Sequence, residues 1–172
     1  MEFTFSPMNE TDAQAISEWR YEPPYNVYNP GNDDDEEADF SELLDRSSPY
    51  YAVRNEQREL VGYFCYGTAG QPWEVNEPSL YVDDRVIVIG LALRPDLTGK
   101  GLGLSFVNAG LSFAREQFAP AMFHLYVLAF NQRAIRVYER AGFHNAGKIT
   151  VHNMHGMVEF VEMERDAQAV NT

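Results

Sequence analysis

Between an apolar run and a helical stripe lies Leu93-Arg94-Pro95-Asp96-Leu97-Thr98-Gly99-Lys100-Gly101-Leu102-Gly103, with three glycines in five positions. Residues without a Cβ let the main chain approach a ligand closely, and the N–H groups at a helix start, with the positive end of the helix dipole, attract an anion. The chemistry implied is main-chain cradling of a phosphate or pyrophosphate. A glycine cluster also reads as a tight strand-to-helix turn with no ligand, and the cluster alone leaves both readings open. The spacing is neither G-x-G-x-x-G nor a Walker loop, since Gly101 follows Gly99-Lys100 where the latter requires Ser or Thr.

A second motif, Asn131-Gln132-Arg133-Ala134-Ile135-Arg136-Val137-Tyr138-Glu139-Arg140-Ala141-Gly142-Phe143, has the form of a short capped helix. Asn131 suits the N-cap, Gly142 suits the residue after the C-cap, and Ala134, Ile135, Tyr138 and Ala141 share one side. A tyrosine on an apolar helix face often packs a core. Its reference pKa of about 10 also lies near that of a thiol, so a phenol can give its proton to a departing thiolate in a nearly balanced transfer.

The two motifs together resemble the GCN5-related N-acetyltransferase (GNAT) family, in which a V/L-x-P-x-x-x-G-x-G-x-G type loop precedes an N-x-x-A-x-x-x-Y-x-x-x-G-F helix. The specific resemblance runs from Val86 to Phe143. It implies a mixed, mostly antiparallel seven-stranded α/β sheet with helices on both faces, splayed at its central strands. It further implies transfer of an acetyl group from acetyl-coenzyme A directly to a primary amine. The pyrophosphate of the coenzyme is then expected on Thr98, Gly99, Lys100, Gly101, Leu102 and Gly103, and the pantetheine arm on backbone groups of Leu91, Ala92 and Leu93. Asn131 matches a family residue that contacts the coenzyme, Ala134 a small one that makes room for it, and Tyr138 the usual general acid. The resemblance also places substrate recognition in the loop Tyr21 to Gly31, where Tyr21, Tyr25 and Tyr28 form either an aromatic wall for a cation or a cover over the core. Relatives often pair, so a homodimer is an expectation of the same kind.

Two departures from the family pattern matter. Many relatives carry a glutamate on the central strand, whereas this strand reads Val86-Ile87-Val88-Ile89. Asp83, Asp84, Glu77 and His155 are therefore the remaining candidates for a general base, each also readable as a surface residue. The loop position that often holds Gln or Arg, three before the middle glycine, holds Thr98. Side-chain help to the phosphates must then be reduced or rearranged. The missing strand glutamate also supports a rival reading, a non-catalytic sensor of acyl-coenzyme A. Neither a longer acyl chain nor an alcohol acceptor is excluded by these motifs.

The elements needed to position these residues are legible as periodicities. Residues 2–7 alternate as a strand, and Thr11 and Gln14 fit a capping box that opens a helix carrying Ile16 and Trp19. The acidic block Asp33 to Glu37 suits the start of a helix with Phe40, Leu43 and Leu44. That block lacks the glycine and glutamate of a calcium loop, so no metal is expected. Tyr50 to Arg54 and Leu60 to Gly67 read as a hairpin, and residues 68–84 as a long polar connection. Arg85 to Leu93 reads as a central strand. Leu104, Val107, Leu111, Ala114 and Phe118 form one helical stripe, and Met122 to Leu128 a buried strand. Phe143 to His152 and Met157 to Met163 read as closing strands.

The 172 residues suit one domain spanning 1–172. A net charge of −13 disfavours nucleic acid and favours a cationic amine, while serving equally to keep a protein soluble. No apolar run is long enough to span a membrane and the start lacks a secretory pattern, so a cytoplasmic location without membrane contact is expected. The single cysteine, Cys65, lies in an apolar run and reads as a core residue rather than a nucleophile.

Overall fold

The computed structural model describes residues 1–29, 41–47, 49–72, 85–153 and 156–169. Its elements are β1 (Thr4–Pro7), α1 (Glu10–Ser17), β2 (Tyr50–Arg54), β3 (Leu60–Tyr66), β4 (Val86–Leu93), α2 (Gly103–Phe118), β5 (Met122–Leu128), α3 (Gln132–Arg140), β6 (His144–Asn153) and β7 (Gly156–Asp166). The seven strands form one sheet in the order β1-β2-β3-β4-β5-β7-β6. Only β4 and β5 run parallel; every other neighbouring pair is antiparallel.

The splay expected at the centre is visible in the ladder. β4 pairs with β3 over Ile89 to Leu93, but pairs with β5 only over Val86, Val88 and the residue between them. Beyond Val88 the two strands diverge, so the second half of β4 loses its hydrogen-bonding neighbour on that side. This is why Val88 and Ile89 are buried while Gly90 to Leu93 are only half-buried.

Alternation along β3 assigns the two faces of the sheet. Phe64 and Tyr66 point to α2, where Phe64 meets Phe106 with ring centroids 4.8 Å apart and the Tyr66 hydroxyl donates to the Gly110 carbonyl at 2.9 Å. Gly110 is required there because a Cβ would collide with the Phe64 ring. Tyr63 and Cys65 point to the opposite face, where Trp19, just beyond α1, stacks on Tyr63. The main core lies between the sheet and α2, built on Val53, Phe64, Phe106, Leu111, Phe123 and Met163.

Several local expectations change. The first helix is capped by Asn9, whose side chain accepts from the Asp12 N–H, and not by Thr11; Asn9 sits two residues earlier and is itself a strong capping residue. Asp12 instead pairs with Arg54 on β2 at 2.5 Å, buried under α1. The helix expected after the acidic block is, among the described residues, a single 3-10 turn at Ser41–Leu44; the block itself and Phe40 lie outside them. The α2 stripe holds except at Phe118, which is 37% exposed in the last turn. β7 runs on to Asp166, three residues past the expected end, because its Phe160 to Asp166 half pairs with all of β5.

Candidate active site

β4 ends at Leu93, and Arg94 ties the exit to β3: its backbone N–H donates to the Val61 carbonyl at 2.8 Å and its guanidinium to the Leu60 carbonyl at 2.9 Å. The guanidinium also forks onto Asp96 at 2.6 and 3.1 Å, which holds the Asp96 carboxyl below its ordinary range. Arg94 is therefore spent on bracing the turn. A 3-10 turn at Pro95–Leu97 follows, and the Thr98 hydroxyl donates to the Pro95 carbonyl at 2.8 Å.

Gly99 and Gly101 have φ of 71° and 80°, a left-handed backbone that side chains resist. A Cβ on Gly101 would meet nothing within 4 Å, so this glycine opens onto free space. Gly103 serves differently: a Cβ there would lie 3.2 Å from Val137, so its smallness lets α2 and α3 approach. The N-cap of α2 is Leu102, which has no side chain able to cap, leaving the first-turn N–H groups to an external acceptor.

This turn borders a cavity of about 700 Å³ that occupies the splay, within the size range of small-molecule sites. Of the residues read as coenzyme contacts, Leu91, Ala92, Leu93, Thr98, Gly99, Gly101, Gly103, Asn131 and Ala134 all line it, together with Tyr138. Lys100 is exposed and Leu102 half-buried, and neither lines it.

On the α3 side, Asn131 caps its helix by accepting from the Ala134 N–H at 3.1 Å and donates its amide to the Tyr28 hydroxyl at 3.0 Å. Tyr138 packs edge-on to Phe143, with centroids 6.1 Å apart, and its hydroxyl bonds to no described residue. Burial, with a smaller contribution from Tyr28, pushes the Tyr138 phenol well above its ordinary value. The near-balanced proton transfer expected from the free side chain is thus altered, because the low-polarity wall favours the neutral form.

The three tyrosines of the first loop also line the cavity, at different stations. Tyr21 donates its hydroxyl to the Leu93 carbonyl at 2.8 Å, fastening the loop to the end of β4. Tyr28 takes the Asn131 amide, and Tyr25 lies under the Arg133 guanidinium, whose carbon sits 4.1 Å from the ring centroid. Both rings pack near Phe130 and so stand at the α3 end. Asp83, Asp84, Glu77 and His155 lie outside the described residues.

The sequence reading missed two groups. Arg133 lines the cavity, and one of its terminal nitrogens lies 3.5 Å from where a Gly99 Cβ would be; no carboxylate among the described residues pairs with it. It stands beside the loop that lacks the usual Gln or Arg. Its place two residues after Asn131, on the same helix end, was a signal that periodicity alone could not rank. Trp19, Tyr50, Tyr63 and Cys65 line the other end. Cys65 is buried and its thiol is pushed up to about 12 by burial, which fits a structural thiol. Among the described residues no cluster of His, Cys, Asp and Glu could hold a metal ion, and no helix is long and apolar enough to cross a membrane.

The chain belongs to the acetyltransferase (GNAT) family, whose profile matches residues 13–143. A mycothiol acetyltransferase of Propionibacterium freudenreichii subsp. shermanii is 36% identical over 126 residues, covering 67% of this chain and 36% of its own length. Another, from Rhodococcus jostii, is 34% identical over 93 residues, covering 54% of this chain and 28% of its own. The chain thus spans about a third of the length of the curated relatives it matches. Among solved structures, aminoglycoside acetyltransferase AAC(6')-Ib in complex with coenzyme A superposes with a TM-score of 0.72 at 26% identity, covering 97% of this chain and 96% of its own. A spermidine N-acetyltransferase SpeG chimera from Vibrio cholerae and hSSAT superposes with a TM-score of 0.71 at 17% identity, covering 97% and 96%, a likeness of fold.

Proposed function

We propose that this protein transfers the acetyl group of acetyl-coenzyme A directly to a primary amine. The observation that carries the reading is the glycine turn, with its two left-handed glycines and the uncapped first turn of α2, opening into a cavity that continues along the half of β4 from which β5 has diverged. The residues present fit the coenzyme: main-chain N–H groups from Thr98 to Gly103 meet the pyrophosphate, and Arg133 supplies the side-chain charge that Thr98 does not. Leu91, Ala92 and Leu93 offer backbone groups to the pantetheine arm. The Leu93 carbonyl is already taken by Tyr21, so Leu91 and Ala92 carry more of that contact. Asn131 and Ala134 shape the wall at the start of α3.

The thioester supplies an activated carbonyl and a thiolate leaving group. Backbone N–H groups of β4 polarise the carbonyl, a neutral amine attacks it, Tyr138 donates its proton to the sulfur as the carbon–sulfur bond breaks, and the proton released by the amine nitrogen passes through solvent to restore the Tyr138 phenol. Burial holds Tyr138 in its neutral form and makes it a weaker acid than a free phenol, so its proton leaves only as negative charge develops on the sulfur. Tyr21, Tyr25 and Tyr28 contribute cavity wall, with Tyr21 nearest β4 and so best placed to face the acceptor. Relatives and neighbours named as mycothiol, aminoglycoside and spermidine acetyltransferases support an amine-bearing acceptor.

The test is the thermal midpoint with and without acetyl-coenzyme A, followed by thiol release across an amine panel. A ligand specific to the folded state at about 100 times its dissociation constant adds roughly 2.7 kcal/mol, easily seen. No shift at saturating coenzyme would remove the phosphate-cradle reading. A shift without thiol release for any amine would favour the second reading, an acyl-coenzyme A sensor, which the absence of any carboxylate on β4 supports.

A further inference from the structure

The far end of the cavity is built differently from the glycine turn. Tyr63 pairs with Ala92 across β3 and β4, and Cys65 pairs with Gly90 on one side and Tyr50 on the other. Paired residues share a face, so two large phenols stand over a floor that carries only Gly90, Ala92 and a thiol. Gly90 is held to its size because a Cβ there would collide with the Cys65 sulfur. Trp19 closes the side, stacked on Tyr63 with centroids 6.3 Å apart and planes 23° from parallel, and Tyr50 meets Tyr63 at 5.8 Å. The result is an aromatic chamber on the face of β4 opposite α2.

Glu42 gives this chamber its sign. Its carboxylate accepts the Tyr50 hydroxyl at 3.2 Å, and its charge acts on Tyr50, Tyr63 and Cys65 alike. Among the described residues no lysine, arginine or histidine pairs with Glu42. The arginines that line the cavity, Arg133, Arg136 and Arg140, all stand on α3. The lining is therefore two-ended, cationic along α3 and, at the other end, made of the π faces of Tyr50, Tyr63 and Trp19, with the exposed Glu42 carboxylate behind the Tyr50 hydroxyl.

We infer that this chamber is the acceptor subsite and that it selects an ammonium-bearing molecule with no carboxylate beside the amine. The inference rests on the proposed acetyl transfer. An organic cation gains from ring faces held at stacking distance, an attraction that strengthens as water is excluded, and from the screened charge of Glu42 reaching the chamber past Tyr50. A free amino acid brings an α-carboxylate into the same chamber, where no basic side chain among the described residues lines the wall to receive it and the nearby Glu42 charge disfavours it. Of the amines that acetyl transfer could serve, alkylamines, polyamines and aminosugars match the chamber and zwitterionic amino acids do not. Arg133, on α3, leaves the two charges of a coenzyme–acceptor pair separated: phosphates at one end, ammonium at the other.

Cadaverine and lysine isolate this single feature, because they share a five-carbon diamine skeleton and differ by one carboxylate. With the full chain saturated in coenzyme A, calorimetry should show cadaverine binding more tightly than lysine. With acetyl-coenzyme A, thiol release should show the same order in kcat/KM. Glu42→Gln should weaken cadaverine by roughly fivefold or more while changing lysine little or improving it, as expected for loss of a charge partner with partial solvent access. Tyr63→Leu, which removes the π face, should weaken cadaverine without restoring lysine. Glu116→Gln, the same charge change on the exposed side of α2, should alter neither amine. Equal affinity for the two amines in the unmodified chain, or a preference that survives Glu42→Gln intact, would overturn the inference. Failure of acetyl-coenzyme A to bind at all would instead remove the acetyl-transfer reading beneath it.

Discussion

Arg133 offers the sharpest test of the proposal that this chain holds coenzyme A without the usual loop side chain. Its guanidinium is set between two fixed points: the Tyr25 ring, 4.1 Å beneath it, and the left-handed Gly99, whose missing Cβ would lie 3.5 Å away. No described carboxylate neutralises it, so its charge is free to act on a phosphate lying on the turn. One charge-assisted hydrogen bond of this kind contributes about 1.5–3 kcal/mol, so Arg133→Ala is predicted to weaken coenzyme A by roughly 10- to 150-fold. Tyr25→Leu leaves the charge but removes the ring that holds it, at about 0.5–1 kcal/mol, a roughly two- to fivefold loss. Calorimetry with coenzyme A and with S-acetylpantetheine separates the causes. The variants should bind the phosphate-free thioester as the unmodified chain does, and the coenzyme A deficit should shrink as salt is added. If Arg133→Ala binds coenzyme A with unchanged affinity, the argument that α3 replaces the missing loop side chain is wrong.

Other expectations concern chemistry and stability. Tyr138→Phe should retain coenzyme binding and lose about 10²-fold or more in turnover, and full turnover would remove Tyr138 as the proton donor. Gly110→Ala drives a methyl into the Phe64 ring at the heart of the core; a loss of about 2 kcal/mol is expected, read as a drop of several degrees in the thermal midpoint. Cys65, with its thiol pushed up to about 12, should resist iodoacetamide at pH 8 until the chain is unfolded, and rapid native labelling would contradict its burial. The same shift sets a pH dependence. The folded chain holds the Cys65 proton more tightly than the unfolded chain, so stability is complete below the ordinary thiol value of 9.0 and falls as pH rises from there towards about 12. Tyr50, Tyr63, Tyr66 and Tyr138 are raised for the same reason and act in the same direction, so urea titrations at increasing alkaline pH should show a falling midpoint.

The parts of the fold that sequence could reveal were those fixed by local pattern. The run from Val86 fixed β4, the stripe through Leu104 and Ala114 fixed α2, and the pairing of Asn131 with Gly142 bounded α3 to within a residue. Capping was less legible at the first helix, where Asn9 and Thr11 are both good caps and only the backbone geometry decides between them. The acidic block lies outside the described residues, and of the helix expected after it only the 3-10 turn Ser41–Leu44 is described.

The glycine turn and Tyr138 were legible because each is a contiguous motif with a fixed spacing. Nothing contiguous links Glu42 to Tyr63, or Arg133 to Gly99. Those pairs exist because β2, β3 and β4 lie side by side and because α3 crosses the end of the splay. Beyond Val88 β4 has lost β5 as a neighbour, while its register with β3 places Gly90 and Ala92 beneath the phenols and turns Leu91 and Leu93 to the other face. The divergence from β5 and the register with β3 together set the proposed thioester slot beside the aromatic chamber. A substitution that closed the slot by extending the β4–β5 ladder would be expected to abolish coenzyme and amine binding together, whereas changes at Glu42 or Arg133 should separate them.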